Sequence, residues 1–278
     1  MTFHQLSKKY NPNSKQYLKY VTKKILIHIS KKINEDSDIF FERNSEIDFS
    51  EKKFTKLFNK VLIKNYPVEY LTKSIDFYGN NFYIRKNVFI PRQETEYLLD
   101  YLIKNDYVSN QNFTVLEFCS GSGCISNSLG IIYPNINIFA FEKKIIPFLV
   151  SLKNKKNFKV NSVKFYKKNI FNISNDFLEK ANLIICNPPY ISKDEYVPKN
   201  VLKEPKKALF AKDDGLYFYK NILKKYYPLV KKNSFFAFEI GYKQKDKLIG
   251  FLEEIKINDF SFLKDMDGNY RILLVKKR

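Results

Sequence analysis

The stretch Val115-Leu116-Glu117-Phe118-Cys119-Ser120-Gly121-Ser122-Gly123 decides the fold, because an apolar run of strand length ends in a glycine loop and helical spacing follows it. Glycine is scarce in this chain, with 8 in 278 residues, yet Gly121, Gly123 and Gly130 fall close together here. Missing Cβ atoms let a ligand approach the backbone, and a helix opening at the same place offers free N–H groups. The loop therefore reads as a cofactor loop. It lacks the Lys-Ser/Thr ending of a phosphate-binding P-loop and is not G-x-G-x-x-G, which argues against a nucleoside triphosphate or a nicotinamide. Glu142 follows the next apolar run, 136–141, at about the 20-residue separation that lets an acid accept both hydroxyls of a ribose. A carboxylate there selects an adenosyl ribose without a phosphate.

Outward from this loop, short apolar runs at 113–118, 136–141, 163–166, 183–186 and 235–240 alternate with helical stretches. That alternation predicts a parallel sheet with crossover helices. The runs 260–262 and 270–275, around the turn Asp267-Gly268-Asn269, predict an antiparallel hairpin on one edge. Upstream, apolar residues recur at helical spacing from 14 to 73, as in Tyr17, Tyr20, Val21, Ile25 and Ile29, then Phe54, Leu57, Phe58, Val61 and Leu62. The expected organisation is a helical substrate-recognition domain over 1–73, a hairpin linker over 74–92 turning at Tyr78-Gly79-Asn80-Asn81, and an α/β domain over 93–278. A helix is expected from Thr95 to Ile103, and a cap made by Thr95 and the early acids is one of two readings of its start.

Composition narrows the chemistry. Lys plus Arg number 49 against 29 for Asp plus Glu, a net charge of +20 that by itself favours an anionic partner. Lys, Asn, Ile, Phe and Tyr are abundant along the whole chain, so the charge reads as compositional drift, and no direct nucleic-acid substrate is expected. Cys119, Cys124 and Cys186 form no C-x-x-C pair, which fits a reducing cytoplasm and excludes a zinc ribbon. His4 and His28 are the only histidines, so a Ser/His/Asp triad and a histidine metal site are excluded, and no metal is expected. No signal peptide is expected at the N-terminus, and the uncharged stretch 118–141 is too interrupted for a membrane span.

The second informative segment is Asn187-Pro188-Pro189-Tyr190, directly after the run 183–186. Two prolines fix φ, remove two donors and leave carbonyls free, while Asn187 adds a side-chain carbonyl at the edge of the sheet. This is an array of acceptors for an N–H₂ group. An amide or aromatic amine is a poor nucleophile because its lone pair is conjugated, so catalysis must hold its hydrogens and turn the lone pair toward an electrophile. Tyr190 can stack on the planar group.

Together these residues resemble the S-adenosyl-L-methionine-dependent class I methyltransferases. More narrowly, the chain is similar to the family that methylates the glutamine of the Gly-Gly-Gln motif in peptide chain release factors. The narrower likeness adds residues 77–82 (FYGNNF), 90–96 (IPRQETE), Glu204-Pro205 with Ala208-Leu209 and Asp214-Gly215-Leu216, residues 238–241 (FEIG) with Gln244, and residues 267–271 (DGNYR). It implies an α/β fold, a Rossmann-like class I methyltransferase sheet with a C-terminal antiparallel hairpin, preceded by a small helical domain. It also implies S-adenosyl-L-methionine as cofactor, held by Glu117, Cys119, Ser120, Gly121, Ser122, Gly123, Glu142, Asn169, Ile170 and Asn187. The glutamine would be held by Asn187, Pro188, Pro189 and Tyr190, with Phe89, Arg92 and Glu94 around the pocket, and Asn187, Pro188 and Tyr190 would be catalytic. Release factors would be the partners. The chain departs from the family in having Glu117 and Cys119 where Asp and the first glycine usually stand, Asn169-Ile170 where Asp and a large aromatic are usual, and Gln93 for a common proline. Two alternatives stay open: an amino-methyltransferase acting on adenine in RNA or DNA, and a non-catalytic protein derived from a methyltransferase.

Overall fold

The computed structural model describes residues 2–11, 15–30, 46–109 and 111–278. The helical reading at residue 14 and over 31–45 lies outside the described residues. Numbered over the described residues, the N-terminal part contains α1 (Phe3–Tyr10), α2 (Gln16–Ile29), α3 (Glu51–Lys64) and α4 (Val68–Thr72). Next come β1 (Ser74–Phe77), β2 (Asn80–Tyr83), α5 (Gln93–Lys104), β3 (Thr114–Phe118), α6 (Cys124–Ile132), β4 (Asn137–Glu142), α7 (Ile145–Phe158) and β5 (Val163–Lys167). The chain ends with α8 (Asn175–Leu178), β6 (Leu183–Cys186), α9 (Lys206–Leu209), α10 (Tyr217–Tyr226), β7 (Phe235–Glu239), α11 (Lys245–Glu254), β8 (Phe260–Lys264) and β9 (Tyr270–Lys276).

Two compact units result, Met1–Ser74 with Val197–Lys203, and Ile75–Tyr196 with Glu204–Arg278. The first is helical. Its α3 starts where the Ser50 hydroxyl accepts from Lys53 N–H, stops at Asn65 in the left-handed region, and buries Phe54, Phe58 and Val61 at i, i+4 and i+7. These pack with Leu6, Val21, Ile25 and Leu26 into one core.

The second unit is a seven-stranded sheet in the order β5-β4-β3-β6-β7-β9-β8. Strands β5 to β7 are parallel, while β9 and β8 run antiparallel at the edge, as the alternation and the tail hairpin predict. Strand order reverses between β3 and β6, the place where open α/β sheets bind ligands beyond their carboxyl ends. Register aligns those ends, since Phe118 lies opposite both Phe141 and Cys186, and Cys186 lies opposite Phe238. The residues that follow, Cys119, Glu142, Asn187 and Glu239, therefore emerge along one edge.

Alternation sorts the two faces. Leu116, Phe118, Ile184, Phe236 and Phe238 pack with Tyr219, Leu223 and Tyr226 of α10. Val115, Ile138, Leu183, Ile185 and Ala237 pack with Leu98 and Leu99 of α5 and Leu129 of α6. Phe77 and Phe82 of the β1–β2 hairpin join this second core. The hairpin segment read as a linker is thus part of the sheet unit's packing from Ile75 onward, because its alternate aromatic side chains are buried.

Gly130 also differs from its reading as part of the loop cluster. It lies inside α6, where an added Cβ would stand 2.4 Å from Val160 Cγ1 and 2.9 Å from Val163 Cγ2. It lets the helix seat closely on the strand below. Gly130→Val is expected to lower folding stability by about 1–3 kcal/mol through overpacking, read as a fall in the urea midpoint at unchanged slope.

Candidate active site at the carboxyl edge of the sheet

At the end of β3, Cys119 adopts φ 59°, Gly121 φ 55° and Gly123 φ 75°, so the chain turns tightly before α6 begins. A left-handed conformation costs an L-residue roughly 1–2 kcal/mol, and glycine is free of that cost. The Cys119 thiol neighbours that of Cys186, whose own thiol burial pushes well up. The two loop glycines have different reasons. A Cβ on Gly123 would meet Phe165 at 2.7 Å and Ser151 at 2.8 Å, which makes it a packing glycine. A Cβ on Gly121 would meet only the Cys119 carbonyl oxygen, at 3.9 Å, so this backbone fronts open space. The Ser120 hydroxyl is buried and has no hydrogen-bond partner among the described residues.

Glu142 closes the loop from the neighbouring strand. Its Oε2 accepts from Gly121 N–H at 3.1 Å and its Oε1 from Lys144 N–H at 2.6 Å. Burial raises this carboxyl above its ordinary range, and the backbone donors oppose that rise. A carboxylate with lone pairs to spare therefore lies beside the open face of Gly121. Glu117 behaves differently. Both the backbone N–H and the hydroxyl of Ser126 donate to its Oε2, and burial pushes it up to about 8. Its acceptors serve the first turn of α6. Asn169 caps a short 3₁₀ turn by accepting from Phe171 N–H at 3.3 Å, and Ile170 is buried in the core.

Beyond β6 the segment Asn187-Pro188-Pro189-Tyr190 is held from below by Glu239, the last residue of β7. Asn187 Nδ2 donates to Glu239 Oε2 at 2.8 Å and to Thr95 Oγ1 at 2.9 Å. Thr95 Oγ1 donates to the same Oε2 at 2.5 Å, and Tyr190 OH donates to Oε1 at 3.1 Å. With its N–H₂ committed inward to two acceptors, Asn187 presents Oδ1 as the atom without a donor among the described residues. Glu239 has no exposed surface, and burial pushes its carboxyl up to about 7 against the donors of Thr95 and Tyr190. The Tyr190 carbonyl accepts from Gln244 Nε2 at 2.8 Å. Gly215 passes so close that a Cβ would lie 2.0 Å from that carbonyl oxygen.

The structure thus brings Asn187, Pro188, Pro189 and Tyr190 together with the glycine loop and Glu142 along aligned strand ends. The remaining residues expected at the site are held by other side chains. Arg92 pairs with buried Glu204, which also accepts from Ile90 N–H at 2.9 Å, and its guanidinium lies 5.0 Å from the Phe89 ring centroid. Glu94 faces Arg271 at 3.4 Å. Thr95 is not the helix cap: α5 starts after Arg92, and the Thr95 hydroxyl reaches Glu239 instead. Glu239, Glu204 and Gln244 are supporting residues to which sequence reading gave no role, and Thr95 is one for which it offered only the cap. One signal was available, a glutamate closing the otherwise apolar strand 235–240.

The left-handed Cys119 yields a test of the loop. Cys119→Gly is expected to change folding stability by less than about 1 kcal/mol, since relieved backbone strain offsets the added freedom of the unfolded chain. Cys119→Val places a β-branched side chain at positive φ and is expected to cost about 1–3 kcal/mol, both read by thermal or urea unfolding.

Residues 90–241 match the methyltransferase small domain family. The chain is 35% identical over 226 residues to the release factor glutamine methyltransferase of Mycoplasma mycoides subsp. mycoides, covering 78% of each chain. It is 32% identical over 254 residues to that of Clostridium botulinum, covering 88% of this chain and 89% of the relative. Among solved structures, human methyltransferase 10 domain containing protein superposes with a TM-score of 0.52 at 19% identity, over 71% of this chain and 89% of the other. That likeness concerns the fold alone. The sheet order, the strand-end loop and the matched sequences agree, and the chain belongs to the release factor glutamine methyltransferase family of methyltransferases.

Proposed function

We propose that this enzyme transfers a methyl group from S-adenosyl-L-methionine to the side-chain amide nitrogen of the glutamine in the Gly-Gly-Gln motif of cytoplasmic peptide chain release factors. The observation that carries the proposal is the inward commitment of the Asn187 N–H₂, which turns Oδ1 toward an incoming N–H₂ donor. The names of the relatives support glutamine as that donor.

The residues fit the cofactor. Gly121 leaves backbone open to a ligand, Glu142 sets a carboxylate with spare lone pairs beside it, and Ser120 keeps a buried hydroxyl unpartnered. Glu142 would hold the ribose hydroxyls, the strand-end loop the amino-acid part, and the Asn169–Ile170 segment the adenine side. Bound there, S-adenosyl-L-methionine supplies a methyl carbon activated by a cationic sulfur.

Asn187 Oδ1 and the Pro188 carbonyl take the two hydrogens of the glutamine amide, and the Tyr190 ring face stacks on its plane. So held, the amide turns its nitrogen lone pair toward the methyl carbon. The chain's part is to hold that nitrogen with its lone pair free to take the methyl group, the displaced pair staying with the donor's sulfur. The nitrogen then sheds one proton. No side-chain base is required, since the proton becomes acidic only as the nitrogen gains positive charge. The helical unit would recognise the body of the release factor. Phe89 and Glu94 would border the pocket, while Arg92, fixed on Glu204, would keep the 90–96 segment in place.

Two substitutions separate cofactor binding from chemistry. Glu142→Ala is expected to weaken S-adenosyl-L-methionine binding by roughly 1.5–3 kcal/mol per charged hydrogen bond lost, measured by calorimetry. An unchanged dissociation constant removes Glu142 from the site. Asn187→Ala is expected to lose turnover on the order of 100-fold in single-turnover methyl transfer at saturating cofactor, with Asn187→Asp in between. Transfer to an RNA or DNA adenine, with none to a release factor, would replace the glutamine reading by the nucleic-acid one.

A further inference from the structure

We propose that Glu239 is a positioning residue whose ionised carboxylate, acting through the Asn187 amide, stabilises the positive charge that develops on the nucleophilic nitrogen. The inference rests on the role given to Asn187 above. It requires no contact between Glu239 and substrate.

The geometry supports it in two ways. First, Asn187 Nδ2 lies 2.8 Å from Glu239 Oε2 and 2.9 Å from Thr95 Oγ1, and the Thr95 hydroxyl itself donates to Oε2 at 2.5 Å, so the N–H₂ is turned toward this adjoining pair of oxygens. The flip that would turn N–H₂ outward would set Asn187 Oδ1 against the ionised Glu239 carboxylate, which opposes it. Second, an amide that donates to a carboxylate is polarised, its nitrogen losing hydrogen density and its oxygen gaining negative charge. Asn187 Oδ1 then accepts more strongly from a substrate nitrogen that becomes cationic as the methyl arrives. An electrostatic effect that grows along the reaction raises kcat more than binding.

Every element packed around Glu239 contributes a group. Glu94 and Thr95 come from α5, Asn187 and Tyr190 from the segment after β6, Cys186 from β6, Tyr219 from α10 and Arg271 from β9. Tyr219 OH donates to the Glu239 backbone carbonyl at 2.9 Å. Glu94 disfavours the ionised form, whereas Arg271, Thr95 and Tyr190 favour it, and burial outweighs them to put the carboxyl near 7. Because this value is raised above that of an unfolded glutamate, protonated Glu239 favours the fold: that contribution is full at low pH and is lost as pH rises through about 7. Activity should run the opposite way, falling as pH drops through the same ionisation. Stability and turnover therefore oppose each other at this residue.

The test is Glu239→Gln, which keeps size and an acceptor oxygen but removes the charge. Methyl transfer to a release factor is followed at saturating S-adenosyl-L-methionine over a pH series spanning neutrality, with kcat and KM separated. The expected result is a kcat about 10- to 100-fold lower at alkaline pH, a KM and cofactor affinity within about twofold of wild type, and loss of the acid limb that wild type shows. In the Asn187→Ala background, Glu239→Gln is expected to cost nothing further. Wild-type kcat in Glu239→Gln, an acid limb that survives the substitution, or a full additional loss in the double variant each overturns the proposal. If Asn187→Ala alone leaves turnover unchanged, the reading of Asn187 falls and this inference with it. If only Glu239→Gln is silent, this inference falls alone.

Discussion

A carboxylate with no exposed surface, closing a strand of aromatic residues, fixes the geometry on which the site depends. Ionised Glu239 is costly to bury, and the hydrogen bonds from Thr95, Asn187 and Tyr190 offset that cost only in part. Those three donors come from α5 and from the segment that follows β6, and a fourth contact, from Tyr219 of α10, reaches the backbone carbonyl. Removing the carboxylate would leave buried donors unpaired on two elements at once. The hydrogen bond from Tyr190 also fixes where its hydroxyl lies. Its hydroxyl points inward to Glu239 and leaves the ring as the surface available for stacking, so phenylalanine at this position would lose a buried hydrogen bond, commonly about 1 kcal/mol.

Glu239 is one of three buried glutamates near the carboxyl ends of parallel strands. Glu117 of β3 accepts from the first turn of α6, and Glu142 of β4 accepts from Gly121 and Lys144 N–H groups. Each converts an acid that burial disfavours into a clamp on an adjoining loop or helix. In a chain of net charge +20, this edge of the sheet carries three carboxyls whose ionisation burial opposes.

The parallel strands and the edge hairpin were legible because apolar runs and turn residues are local signals, and the glycine loop and the Asn-Pro-Pro-Tyr segment were legible for the same reason. What sequence could not supply were pairings between distant residues. Thr95 lies 144 positions from Glu239, and Ile90 lies 114 from Glu204. Thr95 near a helix start suits a cap, and resemblance alone sets Arg92 near a substrate pocket. Folding assigns one to a buried carboxylate and the other to an ion pair. Gly130 shows the converse error, since proximity in sequence joined it to a loop while the fold uses it for close packing in α6.

The most direct test of this arrangement is the behaviour of the Asn187 side-chain amide itself, observed by NMR and assigned through its disappearance in Asn187→Asp. If Glu239 and Thr95 hold the N–H₂ inward, its hydrogen-bonded proton exchanges slowly with water and its shift moves with the ionisation of a neighbouring acid near pH 7. Fast, water-like exchange with shifts that do not change across that range would show that the amide is not held by Glu239, and would contradict the orientation from which the chemistry is derived.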